Sequence, residues 1–215
     1  MSERIKLFKR RQNFNTQNIK TLMTEKWQVV LLISLFWAGL FIGSFYINNA
    51  EGEIAKQVSS IMQDNFSSRE GSNTFAIFSD ALIKYGIFLA LAFFFGLCGL
   101  GYPIVVTIPL FCGIANGLMS GYLYQTFGIT GLFYCLLTMY PSLAISVVSL
   151  IMGACESMEM SKTILAILTD KHHLSSENPL KRYAYQYAIL TGIIILACIT
   201  EIILCHFFLG KFNIF

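Results

Sequence analysis

The chain has 215 residues, of which 55% are apolar and only 13% charged, against about 25% charged in an ordinary soluble domain. That leaves too little polar surface to cover the molecule in water and excludes a soluble globular class. The formal net charge of +3 hides an asymmetry, because residues 1–26 hold seven Lys or Arg (Arg4, Lys6, Lys9, Arg10, Arg11, Lys20, Lys26) against Glu3 and Glu25.

This basic segment has no aromatic platform or nucleic-acid-binding motif beside it, so nucleic acid is not its expected partner. Retention on the cytoplasmic side and attraction to anionic lipid explain it instead. The apolar run that follows is too long for a cleaved signal peptide and lacks an A-x-A site, so it stays as a helix. The first predicted span is 27–47, with Trp27 and Tyr46 as interfacial aromatics. Residues 48–80 form a loop with five acids and two bases, placed outside, where Ile54, Val58, Ile61 and Phe66 recur at the spacing of an amphipathic helix.

The second span is predicted over 81–100. Gly99, Gly101 and Pro103 make a tight connection to a third span over 103–124. The short segment 125–131 leads to a fourth span over 132–155, which Pro141 either kinks or splits into two half-helices. The polar stretch 156–186 carries four bases and four acids, an amphipathic segment through Ile164 and Leu168, and a helix start at Asn178-Pro179. Tyr183, Tyr185 and Tyr187 are assigned to the interface ahead of a fifth span over 188–209. The fold class is therefore all-α and polytopic, with about five spans, the N-terminus inside and short amphipathic helices in the outer and cytoplasmic loops. A basic segment over 1–26 precedes one membrane domain over 27–210, and the location is the cell membrane, multi-pass.

Gly113, Gly117 and Gly121 form a ladder of small residues four apart, and Gly39 and Gly43 make a shorter one. Such faces let helix backbones approach closely, either within the chain or at a homodimer seam. Ser142, Ser146, Ser149 and Gly153 make a comparable stripe. Glu201 lies about 12 Å below the outer end of its span at about 1.5 Å per residue. A carboxylate there must face the protein interior and be paired or protonated. Lys84 and Asn116 are its candidate partners, in a structural cluster or on a transport path. The six cysteines lie in apolar runs with no C-x-x-C spacing and read as small hydrophobes. His172-His173 is a weak metal candidate. No G-x-S-x-G, H-E-x-x-H or Walker loop occurs, so neither catalysis nor a cofactor or metal is expected.

The order of these features resembles a known family. Gly43-Ser44-Phe45-Tyr46-Ile47-Asn48 closes the first span, and Gly99-Leu100-Gly101-Tyr102-Pro103 links the second to the third. Gly113-Ile114-Ala115-Asn116-Gly117, Gly121, Tyr140-Pro141, Met152-Gly153 and Thr200-Glu201 follow. The pattern resembles the stage II sporulation protein M family of bacterial membrane proteins from about residue 20 to 210. Where many members carry a Pro-His-Gly break, this chain has Pro141-Ser142-Leu143. The resemblance implies a non-enzymatic membrane scaffold that recruits cell-wall hydrolases during engulfment, through the outer helix and the 125–131 turn. A subunit accompanying an ABC transporter, for export or self-protection against a secreted peptide, is the alternative it implies.

Overall fold

Among the described residues, four stretches are long and apolar enough to cross a membrane: Trp27–Ile47, Phe78–Gly96, Tyr102–Leu168 and Pro179–Phe207. The computed structural model describes residues 27–47, 60, 74–169 and 179–209. The basic segment over 1–26, the proposed outer helix of Ile54, Val58, Ile61 and Phe66, and His172-His173 lie outside the described residues. Every element described is helical. In order they are α1 (Trp27–Ile47), α2 (Thr74–Gly96), α3 (Tyr102–Tyr134), α4 (Tyr140–Leu168) and α5 (Pro179–Leu209).

The stretch Tyr102–Leu168 is a hairpin. Gly128 has φ 62° and ψ −141° inside otherwise helical backbone, a conformation that a side chain makes costly and glycine does not. A straight helix would hold Gly131 about 12 Å from Leu123. Instead a Cβ on Gly131 would lie 3.0 Å from the Leu123 carbonyl carbon. Tyr122 and Leu123 of the outgoing leg pack with Tyr134, Cys135 and Met139 of the returning one. The reversal falls inside the segment expected to turn, and it makes two legs of one continuous run, giving five among the described residues.

Pro141 does not split the returning leg. A π turn over Cys135–Met139 precedes it, and the Tyr140 N–H bonds to the Cys135 carbonyl five residues back. The wider turn absorbs the proline's missing donor, so the helix continues through one irregular turn. From residue 129 to 168 this leg has 40 residues, about 60 Å, roughly twice the hydrocarbon thickness. Its last turns therefore stand beyond the membrane, and Glu156, Glu159 and Lys162 lie there. The amphipathic segment through Ile164 and Leu168 is the end of α4 itself and not a separate helix. One other boundary moves: α2 begins at Thr74, ahead of the expected 81, whereas α5 begins at Pro179, the expected helix start, and runs unbroken into the fifth span. The apolar signal marks where lipid begins, whereas backbone hydrogen bonding carries the helix on into water.

Central in the bundle is α4, which packs against α2, α3 and α5. Ala81, Tyr85 and Leu89 of α2, Cys112 of α3, Leu150 of α4 and Leu190 of α5 share the main core. The buried stripe of α4 contains Ser142, Ser146, Ser149, Gly153, Ser157 and Ser161. Large apolar side chains such as Phe41, Phe45, Phe94 and Phe207 face outward instead. This is the arrangement lipid selects. Tails outside are as apolar as leucine, so small residues and interhelical hydrogen bonds, not hydrophobicity, hold the helices together.

Candidate functional site

The two glycine ladders are each other's partners. A Cβ on Gly113 would meet the Phe36 carbonyl oxygen and lie 3.2 Å from the Gly39 Cα. On Gly117 it would strike the Leu40 carbonyl oxygen, and on Gly43 it would lie 3.1 Å from the Gly117 Cα. Gly121 meets Ser44 and Ile47 in the same way, and Gly39 meets Leu110 and Ile114. Helices α1 and α3 are thus in backbone contact over two turns, and the seam is internal to one chain.

Glu201, fully buried on α5, accepts a hydrogen bond from the Ser142 hydroxyl of α4 at 3.0 Å. Ser142 follows Pro141 directly, so the π turn sets which side chain faces the acid. Lys84 reaches toward the Met119 sulfur at 3.7 Å and lies 5.2 Å from the centre of the Tyr85 ring. The Asn116 amide donates back to the Cys112 carbonyl at 2.8 Å. Lys84 and Asn116 border a small, partly open space of about 10 Å³, roughly room for a single water.

A second polar cluster ties the opposite end of the bundle. The Ser157 hydroxyl of α4 meets the Ala92 carbonyl at 2.8 Å and the Tyr183 hydroxyl at 3.0 Å, and it also contacts the Tyr187 hydroxyl. Tyr183 donates to the Phe93 carbonyl at 2.9 Å, and Tyr187 to the Gly153 carbonyl at 2.8 Å. Three hydroxyl protons serve five contacts, so some bonds are shared. Gly96 makes the fit possible, since a Cβ there would come within 2.8 Å of the Ser157 oxygen. One turn further on, Ser161 donates to the Cys98 carbonyl at 2.8 Å. Tyr183 and Tyr187 are therefore buried pins between helices, and only Tyr185 of the three expected interfacial tyrosines faces outward, at 69% exposure. Outside this cluster the Gln186 amide donates to Glu156 at 2.7 Å.

Sequence reasoning passed over Ser157, Ser161 and the two buried tyrosines as parts of this cluster. A signal was present. Ser157 continues the small stripe of Ser149 and Gly153 by one more turn, and Tyr183 and Tyr187 are four apart on one helix face. Among the described residues, no three His, Cys, Asp or Glu side chains come together as a metal site.

A family model described as stage II sporulation protein M matches residues 30–203. The chain belongs to that family. The match runs from the first turns of α1 into α5 past Glu201, so it contains both glycine ladders, the π turn and both polar clusters. No curated protein and no solved structure matches the chain. As a member of the stage II sporulation protein M family, with several apolar helices, it is a multi-pass membrane protein.

Proposed function

We propose that the chain is a non-enzymatic scaffold of the cell membrane that recruits envelope partners, cell-wall hydrolases foremost, through its outer segments. The observation that carries the reading is how the polar groups of the bundle are spent. Ser142 bonds Glu201, Asn116 bonds its own helix, and the Ser157 cluster pins α2, α4 and α5. The space bordered by Lys84 and Asn116 holds about one water, where a substrate path would need a connected cavity. Such a bundle is suited to presenting loops at a fixed spacing. Hydrolysis of the wall belongs to the recruited partners, and no cofactor is required of the scaffold.

Affinity capture from native membranes tests this, comparing wild type with a variant carrying Ile54→Asp, Val58→Asp and Ile61→Asp. Recovery of identified cell-wall hydrolases by wild type and their loss from the variant is the expected result. Recovery of an ATP-driven transporter subunit, indifferent to the three changes, would overturn the scaffold reading in favour of an export role.

A further inference from the structure

Where α4 and α5 leave the hydrocarbon, next to the Ser157 cluster, they flank a partly open polar pocket of about 100 Å³. Glu156, Glu159 and Thr163 line it from α4, and Arg182, Tyr183 and Gln186 from α5. Two hydrogen bonds fix its depth: Tyr183 donates to the Phe93 carbonyl, and Ser157, beside Glu156, to the Ala92 carbonyl. Both carbonyls belong to the last turns of the apolar stretch Phe78–Gly96, so the pocket sits at the level of the lipid headgroups.

The charges of the lining are not matched to each other. Glu156 is half-buried and accepts a hydrogen bond from the Gln186 amide at 2.7 Å. Glu159 and Arg182 are exposed, and among the described residues neither side chain makes a hydrogen bond or ion pair, although both line the same space. Two carboxylates repel a bare anion, and the guanidinium repels a bare metal cation. A ligand that carries both signs answers this lining, with an ammonium on the glutamates and a phosphate on the planar fork of Arg182. About 10–15 Å³ of such space holds one water, so the pocket admits a group of several heavy atoms. One turn toward the bilayer the surface becomes apolar, with Met152 of α4 and Ile189 of α5 both exposed. A zwitterion held above an apolar wall belongs to an amphiphile and not to a free solute.

We propose that this pocket binds the headgroup of phosphatidylethanolamine, the ammonium between Glu156 and Glu159 and the phosphate on Arg182. Bound there, the headgroup bridges α4 to α5 beside the Ser157 cluster.

The test uses the full chain, purified and examined by native mass spectrometry after exchange into phosphatidylethanolamine, phosphatidylglycerol or phosphatidylcholine of matched tails. Wild type is expected to retain one phosphatidylethanolamine with about a fivefold preference over either rival, the amount one exposed ion pair supplies. Phosphatidylglycerol brings no cation to the glutamates, and the choline cation has no N–H to donate to them. Glu159→Gln should reduce the preference, and Glu156→Gln with Glu159→Gln should abolish it. Arg182→Gln should weaken retention of all three lipids, since each carries the phosphate. Equal retention of the three lipids by wild type, an unchanged preference in the double variant, or unchanged retention by Arg182→Gln overturns the proposal. Retention of free phosphoethanolamine as strong as that of the lipid also overturns it, because the ligand would then be a soluble zwitterion. Protection of the buried Cys112 from thiol reagents checks the folding of the double variant. Glu159→Gln alters only an exposed side chain, so its result stands even if the double variant misfolds.

Discussion

Replacing Gly117 by alanine isolates the strength of the α1–α3 seam. The added methyl would meet the Leu40 carbonyl oxygen and lie 3.0 Å from the Ser44 nitrogen. Both are backbone atoms, so no rotamer change makes room and α1 must move away. Overpacking of this kind costs about 1–3 kcal/mol. The same substitution also gains about 1 kcal/mol of helix propensity, which would blur the result if it were read alone. Gly192→Ala on α5 is the matched control, since a Cβ there would meet nothing within 4 Å. Both variants gain the propensity, so their difference reports the seam, and Gly117→Ala should be less stable than Gly192→Ala by about 1–3 kcal/mol. Cys112 supplies the readout: it is 2% exposed, next to Gly113 on α3, and should react with a maleimide when the helices separate. Its labelling is followed through a denaturing-detergent titration. Equal midpoints for the two variants would refute the backbone contact between α1 and α3.

Gly128→Ala should lose about 1–3 kcal/mol by the same assay although its Cβ meets nothing within 4 Å, because the cost lies in the positive φ. Ser157→Ala removes the buried hydroxyl that bonds the Ala92 carbonyl and the two tyrosines and should lose about 1–3 kcal/mol. Glu201→Gln keeps an acceptor for Ser142 and should stay within about 1 kcal/mol of wild type, whereas Glu201→Ala leaves a cavity and should lose about 2–4 kcal/mol; loss of partner capture by Glu201→Gln with stability intact would point to a proton path. Cysteines introduced at Ile129 and Leu168, with native Cys98 and Cys155 replaced by serine, should react with an impermeant maleimide from opposite sides of the membrane. Labelling from one side would contradict the hairpin.

The spans were legible because apolar length is a property of composition alone, and the glycine spacing showed which faces would be closely approached. Which face meets which was not legible, since Gly39 and Gly113 are 74 positions apart and spacing does not pair them. Glu201 was recognisable as a residue needing a partner. Its partner is Ser142 because the π turn before Pro141 rotates α4, and such a turn leaves no pattern in the sequence. Tyr183 and Tyr187 sat at the right depth for interfacial aromatics, and depth alone does not distinguish an inward face from an outward one. The ends of α2 and α4 were set short because hydropathy stops at the edge of the lipid and helices do not.

The most direct test of the scaffold reading is site-specific photocrosslinking in native cells, with a photoreactive residue at Ile129, which is 68% exposed at the hairpin tip. The account predicts crosslinks to a cell-wall hydrolase. Crosslinks confined to a transporter subunit, with none to a hydrolase from this site or from the 48–73 segment, would contradict it.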